Sequence, residues 1–551
     1  MAFGTRNTLP LSLLVTATLS TAACSQTAVT PPAAPSSMAP TAQPPREVTG
    51  NSPALAEQID GILDSGSDAQ RAHWGISVTS LDGRTIYSRN EGQLFAPASN
   101  AKLFTTAAAF ALLGPDINEI GRFTETSVRY STTSDGKQGN DLEIVGRGDP
   151  SLSGRVLPYN AKTERAPDAL GELEKLADQV QAKGIRTING DIIGDDTWYL
   201  FERFGTGWAW NDLQWEYGAP VSALSINDNF VTLDILPGKE AGDPAITSFN
   251  PKVAYYTLQN SVVTSTRGSE SRIGVDRQLG SRFVRVYGTI PAGNTGIHLA
   301  LSIEDPAEYA AAAFRELLIA RKIDVKGAAR ARHRLPEATQ DFTAAIRQPL
   351  ALKPFVQGQG QLLLPIPTPY TLVTRLAPAI AQDLTVINKV SQNLHAELLL
   401  RLLGKTQGDD GSLEQGVQVV RQFALSAGVG ANEFFIYDGS GLSADNEVTP
   451  RAITTLLRYA SQQPWGEAFR QTLPVGGVDG SLATRFTRDG LAGKVFGKTG
   501  TLAEVNALSG YVVANSGKIL AFSILCNNHV AADDTSRATI DKVVETIAAA
   551  N

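Results

Sequence analysis

The sequence predicts a mixed α/β (α+β) protein divided into two or three domains. The chain has 551 residues, 42% of them hydrophobic, which is ample for buried cores and too long for one ordinary domain. Helical patterns lie near both ends of the folded sequence, whereas the stretch 226–300 contains mainly short, strand-like apolar runs. The middle of the chain is therefore expected to form mainly β structure.

The N-terminus predicts export. Met1 to Asn7 carry a single basic charge, and Leu9 to Ala23 are almost all apolar, small or hydroxylated. A run of this length is typical of a signal peptide and too short to span a bilayer comfortably, so residues 1–23 are assigned to one. The predicted location is the periplasm or cell envelope.

Cys24 ends this apolar run and is a candidate lipidation site. Thr21-Ala22-Ala23-Cys24 resembles a bacterial lipobox, in which the cysteine becomes the lipidated N-terminus. The alternative is ordinary signal-peptidase cleavage nearby. Residues 24–53 are rich in Pro, Ala, Ser and Thr, which predicts a flexible tether between a membrane anchor and the folded part.

A β-hairpin and a helix are predicted where the folded sequence begins. Residues 74–80 and 85–88 are strand-like and are joined at Asp82-Gly83, a hairpin signal. A helix is predicted from Asn100 to Leu113, because Gly114-Pro115 is a typical helix stop.

The later elements are predicted from apolar periodicity and turn residues. Between 116 and 374, strands are expected at 142–146, 190–194, 230–236 and 282–287, and helices at 168–183 and 306–321. After 375, helices are expected at 395–403, 450–462 and 535–549, and strands at 507–514 and 519–527.

Composition excludes several classes of function. The net charge is -7 and no stretch combines Lys and Arg with aromatic residues, so no nucleic-acid partner is expected. The five histidines form no i,i+4 pair and lie in no Cys or carboxylate cluster, so neither a metal nor another cofactor is expected. With only Cys24 and Cys526, no disulfide framework can form, and Cys526 is predicted to be a buried thiol.

Ser99 and Lys102 form an S-x-x-K motif at the predicted helix start. Residues three apart lie on one face of a helix, so the hydroxyl and the amine would be neighbours. The backbone N–H of Ser99 would lie at the positive end of the helix. A buried lysine has a lowered pKa and can accept a serine proton, although the motif alone is common by chance.

Two further motifs follow in order. Ser391-Gln392-Asn393 precedes a predicted helix, where Ser or Asn would otherwise be read as an N-cap, and Lys498-Thr499-Gly500-Thr501 precedes the closing strands. S-x-x-K, S-x-N and K-T-G in this order in an exported chain are the signature set of penicillin-interactive serine enzymes.

The spacing and local runs narrow this resemblance. The sequence between Ser99 and Ser391 is long enough to form whole inserted domains. This layout is similar to that of the class C low-molecular-mass penicillin-binding proteins, the D-alanyl-D-alanine carboxypeptidase/endopeptidase family. The runs that resemble this family are Gly148–Leu152, Trp210–Asp212, Ala219–Leu224, Asp438–Ser443 and Leu473–Gly480. The resemblance covers roughly residue 55 to the C-terminus.

The resemblance implies the domain organisation. It predicts a serine β-lactamase/DD-peptidase-like transpeptidase domain that is split in sequence, formed by 54–115 and 375–551. An inserted domain II would comprise 116–225 and 301–374, and a mainly β domain III, 226–300, would be nested within it.

The resemblance also implies the roles of the motif residues. Ser99 would attack the D-Ala-D-Ala carbonyl, with Lys102 as the base. Ser391 would pass a proton to the leaving group, and Asn393 would hold the substrate amide and Lys102. In the third motif, K-T-G, which Gly500 completes, Lys498 and Thr499 would bind the terminal carboxylate of the substrate. The backbone N–H groups of Ser99 and Thr501 would form the oxyanion hole.

Substrate selection is implied to involve the inserted domain. Asp212 occupies the place of a carboxylate that, in the family, helps to bind the free side-chain amine of the stem peptide, and Tyr217 follows it. Some relatives have an arginine where this chain has Ala444, and a glutamine where it has Ala503 and Glu504. We therefore expect the amine contact to be kept and the carboxylate of a diaminopimelate side chain to be held less well.

The leading hypothesis is a peptidoglycan DD-peptidase that trims D-Ala, cuts D-Ala–diaminopimelate crosslinks and is acylated by β-lactams. One alternative is a β-lactamase or esterase that uses the same residues. That activity needs a base to activate the deacylating water, and the sequence suggests none. The other alternative is a peptidoglycan-binding lipoprotein with a vestigial site.

Overall fold

A five-stranded antiparallel sheet is built from both ends of the described sequence. The structure is a computed structural model that describes residues 53–337, 341–357, 368–488, 490–530 and 534–551. Its first elements are α1 (Pro53–Leu63), α2 (Ser67–Arg71), β1 (His73–Ser80), β2 (Thr85–Arg89) and α3 (Lys102–Leu113). The predicted hairpin is present, and Pro53, predicted as the end of the tether, is instead the first residue of α1.

The next segment begins a second sheet. It contains β3 (Glu125–Thr132), β4 (Gln138–Gly146), α4 (Gly171–Ala182), β5 (Thr187–Ile188) and β6 (Ile192–Asp195). It is followed by six strands in two three-stranded sheets: β7 (Phe230–Leu236), β8 (Ile246–Asn250), β9 (Thr257–Ser265), β10 (Arg272–Asp276), β11 (Phe283–Pro291) and β12 (Ile297–Ser302). The prediction that this stretch is mainly β is confirmed.

The chain then returns to the second sheet through α5 (Pro306–Ala320), β13 (Asp324–Val325), β14 (Ala329–Arg332), α6 (Phe342–Ala345) and β15 (Thr371–Leu376). The strand order of this five-stranded sheet is β14-β6-β4-β3-β15, so its central strands and its two edge strands come from segments on either side of β7–β12. Pro306 starts α5, and the Asp305 side chain caps it by accepting a hydrogen bond from the Glu308 N–H at 3.1 Å.

The C-terminal part supplies most of the helices and completes the first sheet. Its elements are α7 (Ile380–Lys389), α8 (Asn393–Gln407), α9 (Leu413–Ser426), β16 (Phe434–Phe435), β17 (Glu447–Val448), α10 (Pro450–Ser461), α11 (Gly466–Thr472), β18 (Val495–Leu502), β19 (Val505–Val513), β20 (Ile519–Asn527) and α12 (Thr535–Ala550). The order of the first sheet is β18-β19-β20-β1-β2, which leaves β18 at an edge.

Strand alternation explains why helices cover both faces of this sheet. On β20, Phe522 and Ile524 pack in a core with α1 and α12, whereas Ala521 and Leu525 pack in the core that contains α3 and α10. Successive side chains of a strand point to opposite faces, so an uninterrupted apolar strand must be covered on both sides. The free thiol of Cys526 is buried in the first of these cores, as predicted.

The described residues from Pro53 onward form one compact unit. Along the chain, the strands β7–β12 lie between the two segments that form the sheet β14-β6-β4-β3-β15. We therefore keep the boundaries 54–115 with 375–551, 116–225 with 301–374, and 226–300 as a proposal for the domain organisation.

Candidate active site

Ser99 lies in a 3-10 turn that leads directly into α3. The turn spans Ala98–Ala101 and follows Pro97, so the α-helix itself begins at Lys102 rather than at the expected Asn100. The fixed φ of proline and the positive φ of 46° at Ala98 account for the tight entry into the helix. The turn still places the Ser99 N–H at the N-terminal end of the helical segment.

Lys102 is fully buried and donates three hydrogen bonds. Its Nζ lies 2.9 Å from Ser99 Oγ, 2.6 Å from Asn393 Oδ1 and 2.5 Å from the Ser440 carbonyl oxygen. The serine, the lysine and the asparagine predicted from separate motifs are thus in direct contact. The amine is aimed at the hydroxyl whose proton it is expected to take.

Burial lowers the pKa of Lys102 to about 7. Desolvation disfavours the ammonium form, and the charges of Asp438 and Glu397 offset this only in part. A base with a pKa near neutrality is partly unprotonated at neutral pH, which suits it for general base catalysis.

The S-x-N motif lies at the start of α8, but its N-cap is Gln392. Gln392 Oε1 accepts a hydrogen bond from the His395 N–H at 3.1 Å, so neither Ser391 nor Asn393 is used for capping. The side chains of Ser391 and Asn393 are therefore available to contact the other two motifs. Lys498 Nζ donates to Ser391 Oγ at 2.8 Å.

The K-T-G motif lies on the edge strand β18, beside the Ser99 turn. A Cβ on Gly500 would lie 2.7 Å from the Pro97 carbonyl oxygen, so only glycine allows this approach. Asn100 Nδ2 donates to the Lys498 carbonyl oxygen at 3.2 Å and joins the two segments. Burial and the nearby charge of Lys102 hold the pKa of Lys498 well below its usual value.

A cleft of about 810 Å³ opens over these residues. Its lining comprises Ser99, Ala209, Asn211, Asp212, Tyr217, Ser391, Asn393, Gly441, Leu442, Ala444, Thr499, Thr501, Leu502 and Ala503. All three motifs therefore meet in one cavity, together with a loop from the middle of the chain. Ala444 and Ala503, the two alanines noted in the sequence, also line it.

Asp212 and Tyr217 reach the cleft on a loop that contacts the S-x-N motif directly. Tyr217 donates its hydroxyl hydrogen to Asp212 Oδ1 at 3.2 Å, and its carbonyl oxygen accepts a hydrogen bond from Asn393 Nδ2 at 2.8 Å. Burial raises the pKa of Asp212, while the hydrogen bond from Tyr217 opposes the shift. Burial and the Asp212 charge raise the pKa of Tyr217 to about 12.

Several supporting residues were missed by the sequence analysis. Glu397 Oε1 accepts hydrogen bonds from the N–H groups of Gly439 and Ser440, at 2.8 and 2.9 Å, and so fixes the carbonyl that contacts Lys102. Its other oxygen pairs with Arg401 at 2.8 Å, both residues being fully buried. The i,i+4 Glu–Arg spacing within an apolar helix was the available signal.

Ser481 was also missed. Its hydroxyl lies 2.7 Å from that of Thr499, on a turn that Asp479 holds through a two-oxygen ion pair with Lys389, at 2.7 Å to each oxygen. Lys389 lies two residues before Ser391, but its partner is 90 residues away and no local pattern links them.

Comparison with known proteins decides the family. The model of the D-Ala-D-Ala carboxypeptidase 3 (S13) family matches residues 55–354 and 366–550. The chain belongs to this family. The D-alanyl-D-alanine carboxypeptidase of Actinomadura sp. (strain R39) is 32% identical to this S13 chain over 509 residues, 88% of this chain and 85% of the relative.

More distant relatives are consistent with this family assignment. The D-alanyl-D-alanine carboxypeptidase DacB of Haemophilus influenzae is 24% identical over 470 residues, 84% of this chain and 87% of that protein. The crystal structure of penicillin binding protein 4 (dacB) from Haemophilus influenzae has a TM-score of 0.70 at 22% identity and covers 89% of this chain and 98% of that one. That likeness supports the fold.

As an S13 family member, the protein is a serine peptidase of the D-Ala-D-Ala carboxypeptidase type. The predicted family, fold class and reaction class are confirmed. Within the described ranges, no group of three or more His, Cys, Asp or Glu side chains is placed to hold a metal ion. None of the described helices is long and apolar enough to cross a membrane.

Proposed function

We propose that Ser99, Lys102, Ser391, Asn393 and Lys498 catalyse acyl transfer from D-Ala-D-Ala stem peptides of peptidoglycan. The observation that supports this most directly is the three-way contact of Lys102 Nζ with Ser99 Oγ, Asn393 Oδ1 and the Ser440 carbonyl oxygen. Neutral Lys102 takes the Ser99 proton as Oγ attacks the carbonyl carbon of the penultimate D-Ala.

The tetrahedral intermediate then collapses with loss of the terminal residue. Its oxyanion accepts hydrogen bonds from the Ser99 and Thr501 N–H groups. The proton held by Lys102 passes through the Ser391 hydroxyl to the leaving nitrogen as the C–N bond breaks. Water hydrolyses the acyl-Ser99 ester, which releases the shortened peptide and restores the hydroxyl.

The same site accounts for penicillin binding and endopeptidase action. A β-lactam presents a strained amide in the position of the D-Ala-D-Ala bond and a carboxylate in the position of the terminal carboxylate. A crosslink presents a D-Ala carbonyl joined to a larger leaving amine. A cleft of about 810 Å³ leaves room for the larger group. Release of D-Ala from a free pentapeptide tests the carboxypeptidase activity, and cleavage of a purified crosslinked dimer tests the endopeptidase activity. The proposal would be contradicted if the enzyme turned over neither peptide.

Lys498→Ala is expected to weaken acylation by substrates and penicillins that carry the free carboxylate. Lys498 and Thr499 form the carboxylate end of the proposed site, and a hydrogen bond to a charged group contributes about 1.5–3 kcal/mol. Acylation efficiency should be measured for a carboxylate compound and its methyl ester. Lys498→Ala should reduce the difference in acylation efficiency between the carboxylate compound and its ester. An equal loss of acylation efficiency for both compounds would contradict carboxylate binding by Lys498.

Asp212→Ala is expected to lower efficiency on peptides with a free side-chain amine and to leave acetylated peptides unaffected. A partly exposed carboxylate–ammonium contact contributes about 0.2–1 kcal/mol, and more if the peptide encloses it. Asp212→Asn is the matched control, because it removes the charge and retains an acceptor for Tyr217. Both variants should show the same selective loss. Discrimination by the diaminopimelate carboxylate should be slight, since Ala444 and Ala503 offer it no polar group.

We further propose that the protein is exported to the cell envelope and held there by a lipid on Cys24. Residues 1–23 and Cys24 lie outside the described residues, so this rests on the sequence pattern. Cys24→Ala is expected to move the protein from the membrane to the soluble fraction. Intact-mass analysis should find an acylated N-terminal cysteine in the wild type, and a mature terminus elsewhere without acyl mass would rule the anchor out.

A further inference from the structure

A strained turn in the middle of the chain faces the back of the S-x-N motif. Asn227, Asp228 and Asn229 have φ values of 49°, 50° and 55°, three consecutive left-handed residues without a glycine. Such backbone is disfavoured for side chains with a Cβ, and it persists only where surrounding contacts hold it. Here Asn229 Oδ1 accepts from the Ile226 N–H at 3.0 Å, and Asn229 Nδ2 donates to the Pro220 carbonyl oxygen at 2.8 Å.

The turn delivers the carboxylate of Asp228 into a fully buried position. Asp228 accepts hydrogen bonds from Arg155 Nε at 2.8 Å, from Arg165, and from His395 Nε2 at 3.0 Å. Burial alone would raise the pKa of Asp228, but the charges of Arg155, His395 and Arg165 hold it well below its usual range. The carboxylate is therefore ionised at neutral pH.

The remaining donor to this carboxylate is the middle residue of the S-x-N motif. Gln392 Nε2 donates to Asp228 Oδ2 at 3.2 Å, while Gln392 Oε1 caps α8 through the His395 N–H. Both ends of one amide are thus fixed, one by the helix and one by the turn. The preceding residue, Ser391, has a φ of 63°, so the segment is itself in a conformation that needs support.

His395 completes the connection. Its Nδ1 lies 2.6 Å from Asp383 Oδ1 on α7, and its Nε2 contacts Asp228. Burial lowers the pKa of His395, but the charges of Asp383 and Asp228 raise it overall to about 9. The first turn of α8 is therefore clamped between α7 and the 227–229 turn.

We propose that Asp228 and Gln392 are positioning residues that hold Ser391 and Asn393 in register with Lys102 and Lys498. This inference rests on the proposed function, because the positioned side chains are those assigned to acyl transfer. The turn comes from the proposed inserted region, so that region has a role in acylation besides lining the cleft. Displacement of Gln392 would move the flanking hydroxyl and amide, which lie on the same short segment.

Gln392→Asn tests the connection with the least disturbance of the fold. Asparagine is a good N-cap, so the start of α8 is retained, but its shorter side chain no longer reaches Asp228. We expect the thermal midpoint to stay close to that of the wild type and the acylation rate constant with a fluorescent penicillin to fall by about tenfold, the scale of coupling between residues in contact.

A second variant changes the same contact through charge. Gln392→Glu keeps the capping oxygen but opposes Asp228 with a second carboxylate, so acylation should fall further than in Gln392→Asn. Asp228→Asn, made in the wild type and in Gln392→Asn, tests whether the two residues act together. If Asp228 acts through Gln392, Asp228→Asn should slow acylation less in the Gln392→Asn background than in the wild type. Gln179→Glu, on the exposed face of α4, controls for added charge.

The outcomes separate the two proposals. If the wild type is labelled and Gln392→Asn is labelled at the same rate, the positioning role is wrong while the proposed function stands. If Asp228→Asn is folded and slows acylation by the same factor in both backgrounds, the two residues act independently and the positioning role is again wrong. If the wild type is not labelled, the proposed function is wrong and the positioning role falls with it.

Discussion

Ser99→Ala is expected to abolish covalent labelling by penicillin and to lower D-Ala release by on the order of 10⁴- to 10⁶-fold, the scale observed when a catalytic nucleophile is removed. The hydroxyl is the atom that forms the acyl bond in the proposed mechanism, and no other hydroxyl contacts Lys102 Nζ among the described residues. Without it the enzyme can bind a substrate but cannot form the intermediate.

The fold should survive this substitution. Ser99 is partly exposed in the cleft, and its only described side-chain hydrogen bond is the one from Lys102. Intact-mass analysis should show the penicillin adduct on the wild type alone, and circular dichroism should show the same thermal transition for both proteins. A penicillin adduct on folded Ser99→Ala would show that the nucleophile is a different residue.

The sequence predicted those parts of the site whose residues are close along the chain. Ser99 with Lys102, and Lys498 with Thr499, are fixed by local structure, so the motif spacing was sufficient. The meeting of Lys102 with Asn393, 291 positions away, followed only from the resemblance to a family. Spacing alone could not predict it, because a long-range contact depends on how whole elements pack.

Ion pairs between residues that are distant in sequence could not be predicted either, because they also depend on how whole elements pack. Asp228 and His395 are 167 residues apart, and neither lies in a pattern that identifies its partner. Local propensity alone would also select the wrong N-cap. It favours Ser or Asn, but Gln392 takes the position, and its side chain reaches both the helix and Asp228. Tertiary contacts therefore override a local preference at the residue between the two side chains proposed to be catalytic.

Lys102→Met is expected to lower the acylation rate constant by about 10²- to 10⁴-fold, the usual contribution of a general base. Methionine fills nearly the same volume, so the loss reports the missing amine rather than a cavity. Lys183→Met, at an exposed position, is the matched control and should acylate normally. Acylation of Lys102→Met at the wild-type rate would exclude the lysine as the base.

The pH dependence of the wild type gives a second, independent test of Lys102. Only the neutral amine can accept the Ser99 proton, and burial holds its pKa at about 7. Acylation efficiency should therefore rise about tenfold per pH unit below pH 7 and level off above it, because the neutral fraction saturates once the pH exceeds the pKa. Lys498 has the opposite effect with a substrate that carries a carboxylate. Its pKa is also lowered, and only its ammonium form attracts the carboxylate by charge, so loss of the Lys498 proton lowers efficiency as the pH rises. An ester substrate without a carboxylate does not engage Lys498, so its profile should show the rise from Lys102 alone. A flat profile with both substrates between about pH 5 and 9 would mean that the proton is taken by a different group.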